Sequence, residues 1–379
     1  MHADNLLWAT LARTPTLDAL TLRRLAAQLA PQDPRAGCAA LLTLSGAELR
    51  AQGLNARAAA WLTRPRRELL DADLTDLELH GLQLLPAVDP HYPPQLAQLP
   101  GAPAVLWLRG AATILAQSQL AIVGTRSPTS TGLDITREFA SYCARGGLII
   151  SSGLALGIDG AAHLAALEAA GTSIAVCGTG LARHYPRDHA ALAERIVSTG
   201  GALISELAPQ QPPRAQHFRA RNRILSGLAC AVLVVEAARH SGSLSTARHA
   251  WKQARPVFAI PGSIYSPMSQ GCHELIRHGA RLLETPADVF SELNIPYLKQ
   301  SLKSHDVATD QRCGPTPGLD NACEILLHAV AFEATSMDVL MVRTGLSSQS
   351  VASMLLMLEL EGLVAPQPGG RYIRTRGRK

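Results

Sequence analysis

The stretch QLAIVGTRSPTSTGLDITREFASYCARGGLIISSGLALGIDG, residues 119–160, decides the fold of this chain. It contains two short apolar runs, at 120–123 and 148–150, on either side of a segment with helical spacing. Each run is continuously apolar and does not alternate with polar residues, which is typical of strands in a parallel sheet covered on both faces. We therefore predict a strand–helix–strand unit here.

The same rhythm continues further along the chain. The later runs are SIAVCG (173–178), ALISE (202–206), CAVLVVE (230–236) and PVFAIPG (256–262). Repeated alternation of strand and helix is typical of a doubly wound α/β domain. We predict a doubly wound α/β domain with a mostly parallel sheet over residues 86–293.

Helical segments flank this domain on both sides. Residues 1–80 are rich in Leu, Ala and Arg with helical spacing, which predicts a helical N-terminal domain. Within it, LLTLSGAELRAQGLNARAAAWLT (41–63) fits either a SAM or helix-hairpin-helix-like element or a plain helical packing domain. Residues 294–317 are polar and contain Pro and Gly, which predicts a linker. Residues 318–379 have two helical segments and a Gly-centred hairpin, as in a winged helix.

Composition limits the class of protein. Hydrophobic residues make up 47% of the 379 residues and charged residues 17%, which permits a large core. The seven cysteines include no CxxC pair, which favours a reducing compartment over a disulfide framework or a zinc site. No signal peptide is evident, and no apolar run approaches the roughly 20 residues of a membrane helix. We expect a cytoplasmic protein that does not cross a membrane.

Glycine and small hydroxyl residues follow most of the predicted strands. The segments are GTRSPTSTG (124–132), SSGLALGIDGAAH (151–163), GTG (178–180), EAARHSGSLSTA (236–247) and PGS (261–263). Such loops meet at one edge of a parallel sheet, where glycines allow close approach and helix N-termini present free N–H groups. This favours a phosphate or nucleotide site. Because GxxxxGK[ST] and a complete GxGxxG are both absent, ATP hydrolysis and dinucleotide chemistry are disfavoured, and we expect no cofactor.

The acidic and imidazole groups do not suggest catalysis. The histidines are dispersed without metal-ligand spacing. Asp159 is expected to cap a helix or fix its loop, not to act as a base. Glu206 and Glu236 end apolar runs, where a carboxylate can anchor loop amides. We predict neither a metal site nor a catalytic residue.

A dense basic cluster, HFRARNRILSG (217–227), lies just before a predicted strand. Its three arginines would fan out from a helix, so a run of phosphates suits them better than one phosphate. Phe218 offers a face on which an unpaired base can stack, which favours single-stranded nucleic acid. The alternative is structural, with Arg221 and Arg223 paired to Glu206 or Glu236 and with Phe218 in the core.

These motifs, in this order and spacing, resemble the DNA-processing protein A (DprA, or Smf) family over roughly residues 86–290. The matching segments are VGTRSPTSTG, SSGLALGIDGAAHLAAL, GTGLARHYPRDH, GALISE, FRARNRILSGLACAVLVVEA, SGSLSTARHA, VFAIPGS and GCHELIRHGA. The resemblance implies an extended Rossmann-like core over residues 86–293 that binds single-stranded DNA without catalysis. It also implies protection of incoming DNA during natural transformation, loading of the RecA recombinase, and a homodimer formed through the Rossmann-like domain.

The resemblance and the loop pattern together give the expected DNA-binding residues. Arg219 stands where the family usually has Pro, and the helix after the second loop offers only His163 where relatives often have Lys or Arg. The expected residues are Gly124, Thr125, Arg126, Ser152, Gly153, Ala155, Gly157, Ile158, Asp159, Phe218, Arg219, Arg221, Asn222, Arg223, Ser241, Gly242 and Ser243.

Two other functions stay open at this point. One is a nucleotide-processing Rossmann enzyme, although the PGGxGTxxE motif of such enzymes is missing after Pro261 and Gly262. The other is a duplex-DNA regulator that acts through the winged helix. Against it, SSQSVASMLLMLELEG (347–362), where a recognition helix would lie, has no cation.

Overall fold

The structure is a computed structural model that describes residues 2–297, 321–330 and 334–375. The chain divides into two compact units, residues 1–300 and 301–379. No described helix combines the length and the apolar character needed to cross a membrane.

Six helices form the N-terminal part of the first unit. They are α1 His2–Ala12, α2 Ala19–Leu29, α3 Pro34–Ala40, α4 Gly46–Ala51, α5 Ala56–Thr63 and α6 Arg67–His80. Polar side chains start several of them: Asp18 accepts from the Thr21 amide, and Ser45 and Glu48 form a capping box. Leu22 and Leu49 share one continuous apolar core with Leu106 of the sheet. These helices therefore pack on the sheet within the first compact unit.

A nine-stranded sheet lies at the centre of the first unit. Its strands are β1 Gln83–Pro86, β2 Val105–Gly110, β3 Gln119–Val123, β4 Ile149–Ser152, β5 Ser173–Val176, β6 Ala202–Ser205, β7 Ala231–Val234, β8 Val257–Ala259 and β9 Arg281–Leu282. The strand order is β1-β2-β6-β5-β4-β3-β7-β8-β9. Every pair from β6 to β9 is parallel, and only β2 runs against its neighbours β1 and β6. The predicted doubly wound, mostly parallel sheet is confirmed.

Helices cover both faces of this sheet, which explains the continuously apolar strands. These helices are α7 Pro94–Ala97, α8 Ser130–Arg145, α9 Ile158–Glu168, α10 Ala190–Ser198, α11 Ala215–Leu228, α12 Ser243–Lys252, α13 Gln270–Arg277 and α14 Ala287–Leu293. On β3, Ala121 and Val123 join the core that includes Leu225 of α11. Leu120 and Ile122 join the opposite core with Ala140 of α8. Successive side chains of β3 point to opposite faces of the sheet, and on each face they pack against apolar side chains.

The winding direction changes between β3 and β7. From β3 the sheet continues through β4 on one side and through β7 on the other. In open α/β sheets, a crevice forms at the carboxyl ends of the two strands on either side of such a switch. The segments after Val123 and after Val234 therefore border the natural ligand position of this fold.

The second unit has the predicted winged-helix architecture. It contains α15 Asn321–Val330, β10 Thr335–Ser336, α16 Met337–Thr344, α17 Ser348–Leu360, β11 Val364–Gln367 and β12 Arg371–Arg374. Leu326, Leu340 and Leu355 form its core, and the hairpin between β11 and β12 turns at Gly369 and Gly370, both with positive φ.

Of the predicted linker 294–317, residues 298–317 lie outside the described part of the chain. Residues 294–297 are described, and the Tyr297 ring lies 5.1 Å from that of Phe290. The start of this segment therefore packs on the first unit.

Candidate nucleic-acid interface

A cleft of about 560 Å³ opens at the carboxyl edge of the sheet, at the switch between β3 and β7. It collects residues from the loops after β3, β4, β5 and β7 and from the start of α11. Twelve of the predicted site residues line it: Gly124, Thr125, Arg126, Ala155, Asp159, Phe218, Arg219, Arg221, Asn222, Ser241, Gly242 and Ser243.

Close backbone contacts hold the loops after β3 and β4 together. The Thr125 amide donates to the Glu236 carbonyl at 2.8 Å, and the Ile158 amide donates to the Thr125 carbonyl at 3.2 Å. Gly157 has φ +80°, and a Cβ there would lie 2.5 Å from the Thr125 carbonyl oxygen. Only glycine permits this approach.

The Glu236 carboxylate anchors the start of α8. It accepts from the Thr129 amide at 3.0 Å and from the Thr129 hydroxyl at 2.6 Å. Thr129 in turn caps α8 by accepting from the Gly132 amide at 3.0 Å. This agrees with the predicted anchoring role of Glu236.

Two buried charged residues, Asp159 and Arg221, hold the loop after β4 in place. The Asp159 carboxylate accepts from the amides of Gly153 at 3.1 Å and Ala155 at 3.4 Å, so it fixes the loop as predicted. Arg221 is 6% exposed and donates to the carbonyls of Gly153, at 2.9 Å, and Val176. Burial raises the pKa of Asp159, an effect that the nearby Arg221 charge opposes, and burial lowers the pKa of Arg221.

Five predicted residues do not line the cleft. Ser152 and Ile158 are fully buried, and the Ser152 hydroxyl donates to the Ile122 carbonyl at 2.6 Å. Gly153 and Gly157 act through the loop backbone. Arg223 points to Glu206, with 2.6 Å between Nη2 and Oε2. Arg223 therefore has the structural role that the alternative interpretation gave it, pairing with a glutamate. The alternative does not hold for the whole cluster, because Arg219 is exposed in the cleft.

Phe218 faces the cleft and is not a core residue. Its half-buried ring lies 5.4 Å from the ring of Tyr185, and the Arg126 guanidinium carbon lies 5.8 Å from the Phe218 ring centre. Gly178 lies against the ring, where a Cβ would come within 2.5 Å of Phe218 Cδ1. The arrangement leaves an aromatic surface beside a cation.

Unpaired guanidinium groups give the cleft its positive charge. Arg126, Arg214 and Arg219 are exposed, and none of their guanidinium groups has a hydrogen bond or ion pair with another described residue. With Arg221, the lining holds four arginines and one carboxylate, that of Asp159, a balance of 4 − 1 = +3. This chemistry suits several phosphates along a strand.

Fewer backbone N–H groups are free to bind a phosphate in the cleft than the glycine pattern suggested. The amides of Thr125, Ile158, Gly153 and Ala155 all donate within the protein. The glycines allow the loops to form hydrogen bonds with one another. The arginine side chains are therefore the main groups in the cleft that could bind phosphate.

His163 cannot take the place of the basic residue that relatives often have. It lies fully buried, with Nδ1 2.7 Å from the Ser173 hydroxyl. Burial lowers its pKa to about 3, so the imidazole is neutral at physiological pH. The helix turns this side chain into the core, so α9 offers the cleft no cation.

Sequence reasoning missed six lining residues: Val123, Tyr185, Pro213, Arg214, Ala215 and Leu225. Two of them carry chemistry. Arg214 lies three residues before the recognised cluster, within the same basic region, so a wider window would have included it. Tyr185 belongs to GTGLARHYPRDH, and its place in an aromatic-poor chain was the available signal.

Two family models match the chain. The model described as DNA recombination-mediator protein A matches residues 83–294, more than half of the chain, and the DprA winged helix domain matches residues 312–370. The chain belongs to the DprA family. The first match covers the whole described cleft of this DprA-family chain, and the second covers most of its winged-helix unit.

Several relatives of this DprA-family chain are similar over most of its length. Protein Smf of Escherichia coli K12 is 42% identical over 331 residues, which are 86% of this chain and 87% of that protein. The solved DprA of Streptococcus pneumoniae has a TM-score of 0.65 at 33% identity, covering 76% of this chain and 97% of that one. DNA processing protein A of Helicobacter pylori, described for its single-stranded DNA binding mode, has a TM-score of 0.51 at 29% identity, covering 56% and 95%.

Proposed function

We propose that this protein binds single-stranded DNA in the cleft at the β3–β7 switch. The observation that carries the proposal is the set of three guanidinium groups without an ion pair, those of Arg126, Arg214 and Arg219, which line the same cleft as the half-buried ring of Phe218. Cations that follow a backbone and an aromatic face that takes a base are the two parts of a single-strand site. The single-stranded DNA binding described for the Helicobacter pylori relative supports the same assignment.

The aromatic pair favours unpaired bases. A base can stack on Phe218 only if its own face is free, because a base inside a duplex is already stacked on its neighbours. Tyr185, 5.4 Å away, extends the aromatic surface at the mouth of the cleft. We therefore propose that duplex DNA binds this cleft much more weakly than a single strand.

The residues of the cleft and of its loops take two kinds of role in this proposal. Arg126, Arg214 and Arg219 contact phosphates, and Phe218 stacks with a base. Asp159, Arg221 and the loop glycines position those side chains without touching the DNA. Asn222 joins the second group, since its amide donates to the Ser245 hydroxyl at 2.6 Å and so ties α11 to α12.

No covalent chemistry is proposed for the cleft. Its carboxylate, Asp159, accepts from two amides and interacts electrostatically with the buried Arg221, and none of the described lining residues is a histidine or cysteine. A nucleotide-processing enzyme would need a group free to activate water or a nucleophile. This composition favours binding over catalysis.

The wider roles follow from family membership. We propose that the protein protects incoming single strands and loads the RecA recombinase on them during natural transformation, in the cytoplasm, as a homodimer formed through the Rossmann-like domain. A strand-exchange assay with RecA on DNA covered by a single-strand-binding protein tests the loading, and sedimentation of the full chain tests the dimer.

The direct test is fluorescence anisotropy of a labelled oligo-dT with the full chain over a salt series. We expect Arg126→Ala/Arg219→Ala to weaken binding strongly and to reduce the slope of log K against log salt by about 0.7 for each phosphate that the protein no longer neutralises. The duplex of the same length should bind more weakly than the single strand at every salt concentration.

The matched control is Arg67→Ala/Arg137→Ala, which removes the same charge from exposed arginines paired with Asp71 and Asp134. If the control and the cleft variant lose affinity equally, only net charge matters and the cleft is not the site. If the cleft variant binds as the unaltered protein does, the proposal is wrong.

A further inference from the structure

The loop after β8 exposes the most accessible aromatic side chain of the described residues. This loop spans residues 261–269, and at its tip Ile264 and Tyr265 are 74% and 87% exposed. Among the aromatic residues whose side chains the structure describes, only Tyr185 (39%) and Tyr265 are exposed rather than buried or half-buried. Both lie on loops at the carboxyl edge of the parallel sheet, which is the edge that holds the cleft.

Hydrogen bonds join this loop to the rim of the cleft. The Ala237 amide donates to the Met268 carbonyl at 2.7 Å, and the Gly271 amide donates to the Ala237 carbonyl at 2.8 Å. The neighbouring Glu236 carbonyl accepts from Thr125 of the cleft. Since β3, β7 and β8 are adjacent, the ends of β3 and β8 are about 10 Å apart, two strand spacings.

The loop presents Tyr265 on a restrained backbone. The Tyr265 amide donates to the Ser263 hydroxyl at 3.2 Å, and the Ser266 amide donates to the Ser263 carbonyl at 3.1 Å. On the inner side, His273 Nε2 lies 2.9 Å from the Gly262 carbonyl oxygen. A ring held on such a turn loses little freedom when a partner stacks on it, which favours binding.

Unpaired positive charge lies on the intervening loop. Arg239, in the loop after β7, is exposed and makes no hydrogen bond or ion pair within the described part of the chain. The acidic residue of the same loop, Glu236, is occupied by Thr129. Ser241 and Gly242, two and three residues after Arg239, line the cleft itself.

We propose that Tyr265 and Arg239 form an outer subsite for single-stranded DNA. The strand leaves the cleft across the loop after β7, where Arg239 contacts a phosphate, and one further base stacks on Tyr265. This inference rests on the proposed function, because it extends the path of the same strand. It implies that longer oligonucleotides gain affinity from a subsite that a strand short enough to stay in the cleft does not reach.

The test compares two oligo-dT lengths, about four and about twelve nucleotides, which span the range of single-strand site sizes. We expect Tyr265→Ala in the full chain to lower the affinity for the longer strand about fivefold or more, because one base loses the ring on which it stacks. The affinity for the shorter strand should not change. Tyr265→Phe should restore binding of the longer strand. Arg239→Ala should lower the salt slope of the longer strand alone, by about 0.7.

Leu79→Ala, which removes another exposed apolar side chain (73% exposed), is the control. The outer subsite is overturned if Tyr265→Ala affects neither length, if it affects both equally, or if it lowers the sedimentation mass, which would make the loop a contact between subunits. A different result separates the two proposals: if the unaltered chain binds neither length, the proposed function itself fails.

Discussion

Three arginines that alternate along α11, Arg219, Arg221 and Arg223, end in three different environments. Arg219 is exposed at the cleft, Arg221 lies under the loop after β4, and Arg223 pairs with Glu206. Side chains two positions apart on a helix point in directions about 200° apart, so one helix cannot aim all three at one ligand. One arginine of this cluster is thus free to bind phosphate, and the other two stabilise the site.

At this scale we predict strong coupling between Asp159 and Arg221. Arg221→Met should lower the free energy of unfolding by about 3–5 kcal/mol, because it leaves a buried carboxylate without its compensating charge. Asp159→Asn/Arg221→Met should lose clearly less than the sum of the two single variants. Urea unfolding of all four proteins, followed by tryptophan fluorescence, measures the coupling. Strictly additive losses would mean that the two groups do not compensate each other.

At the scale of elements, the cleft depends on how closely the β3 and β4 loops approach. Gly157, the residue just before α9, has φ +80° and ψ −127°, a conformation open essentially only to glycine. Its position against the Thr125 carbonyl sets the path of the next residue, Arg126. The glycines of these loops therefore determine where the phosphate-binding side chain lies.

We predict that Gly157→Ala lowers the free energy of unfolding by about 3 kcal/mol or more, from backbone strain and the contact with Thr125. It should also weaken single-strand binding about tenfold, equivalent to about 1.4 kcal/mol, by displacing Arg126. Gly200→Ala is the matched control, since Gly200 has φ +85° but nothing within 4 Å of an added Cβ. Its cost should be about 1 kcal/mol, with unchanged DNA binding. If the two variants changed the free energy of unfolding and the DNA affinity equally, the positive φ alone, and not the contact with Thr125, would explain the effect of Gly157→Ala.

At the scale of the whole molecule, the chain has two compact units, and the cleft lies entirely in the first, residues 1–300. In the second unit, α17 carries no cation and exposes Leu356 and Leu360. That surface is unlike the basic helix that enters a DNA groove. All four tryptophans, Trp8, Trp61, Trp107 and Trp251, belong to the first unit, so their fluorescence reports its unfolding alone.

We predict that a chain ending at residue 300 keeps its affinity for oligo-dT within about twofold, a change of about 0.4 kcal/mol. Its tryptophan-detected urea midpoint should match that of the full chain, because no core residue of the first unit is removed. Anisotropy and fluorescence measure the two quantities. Loss of DNA binding in the shortened chain would instead favour the winged helix as the DNA-binding unit.

The sequence by itself determined the architecture of the sheet, since continuous apolar runs such as 120–123, repeated between helical segments, are typical of strands buried on both faces. The sequence pattern also predicted the winged helix, and the loop pattern together with the family resemblance predicted twelve of the residues that line the cleft. Only the tertiary structure decided which cations are free. Arg223 meets Glu206 of another strand end, and Arg221 meets Gly153, 68 residues away. Whether a charge is paired depends on neighbours distant along the chain, and local patterns do not encode those contacts. The position of Tyr185 beside Phe218 and the burial of His163 likewise depend on contacts between residues that are distant along the chain.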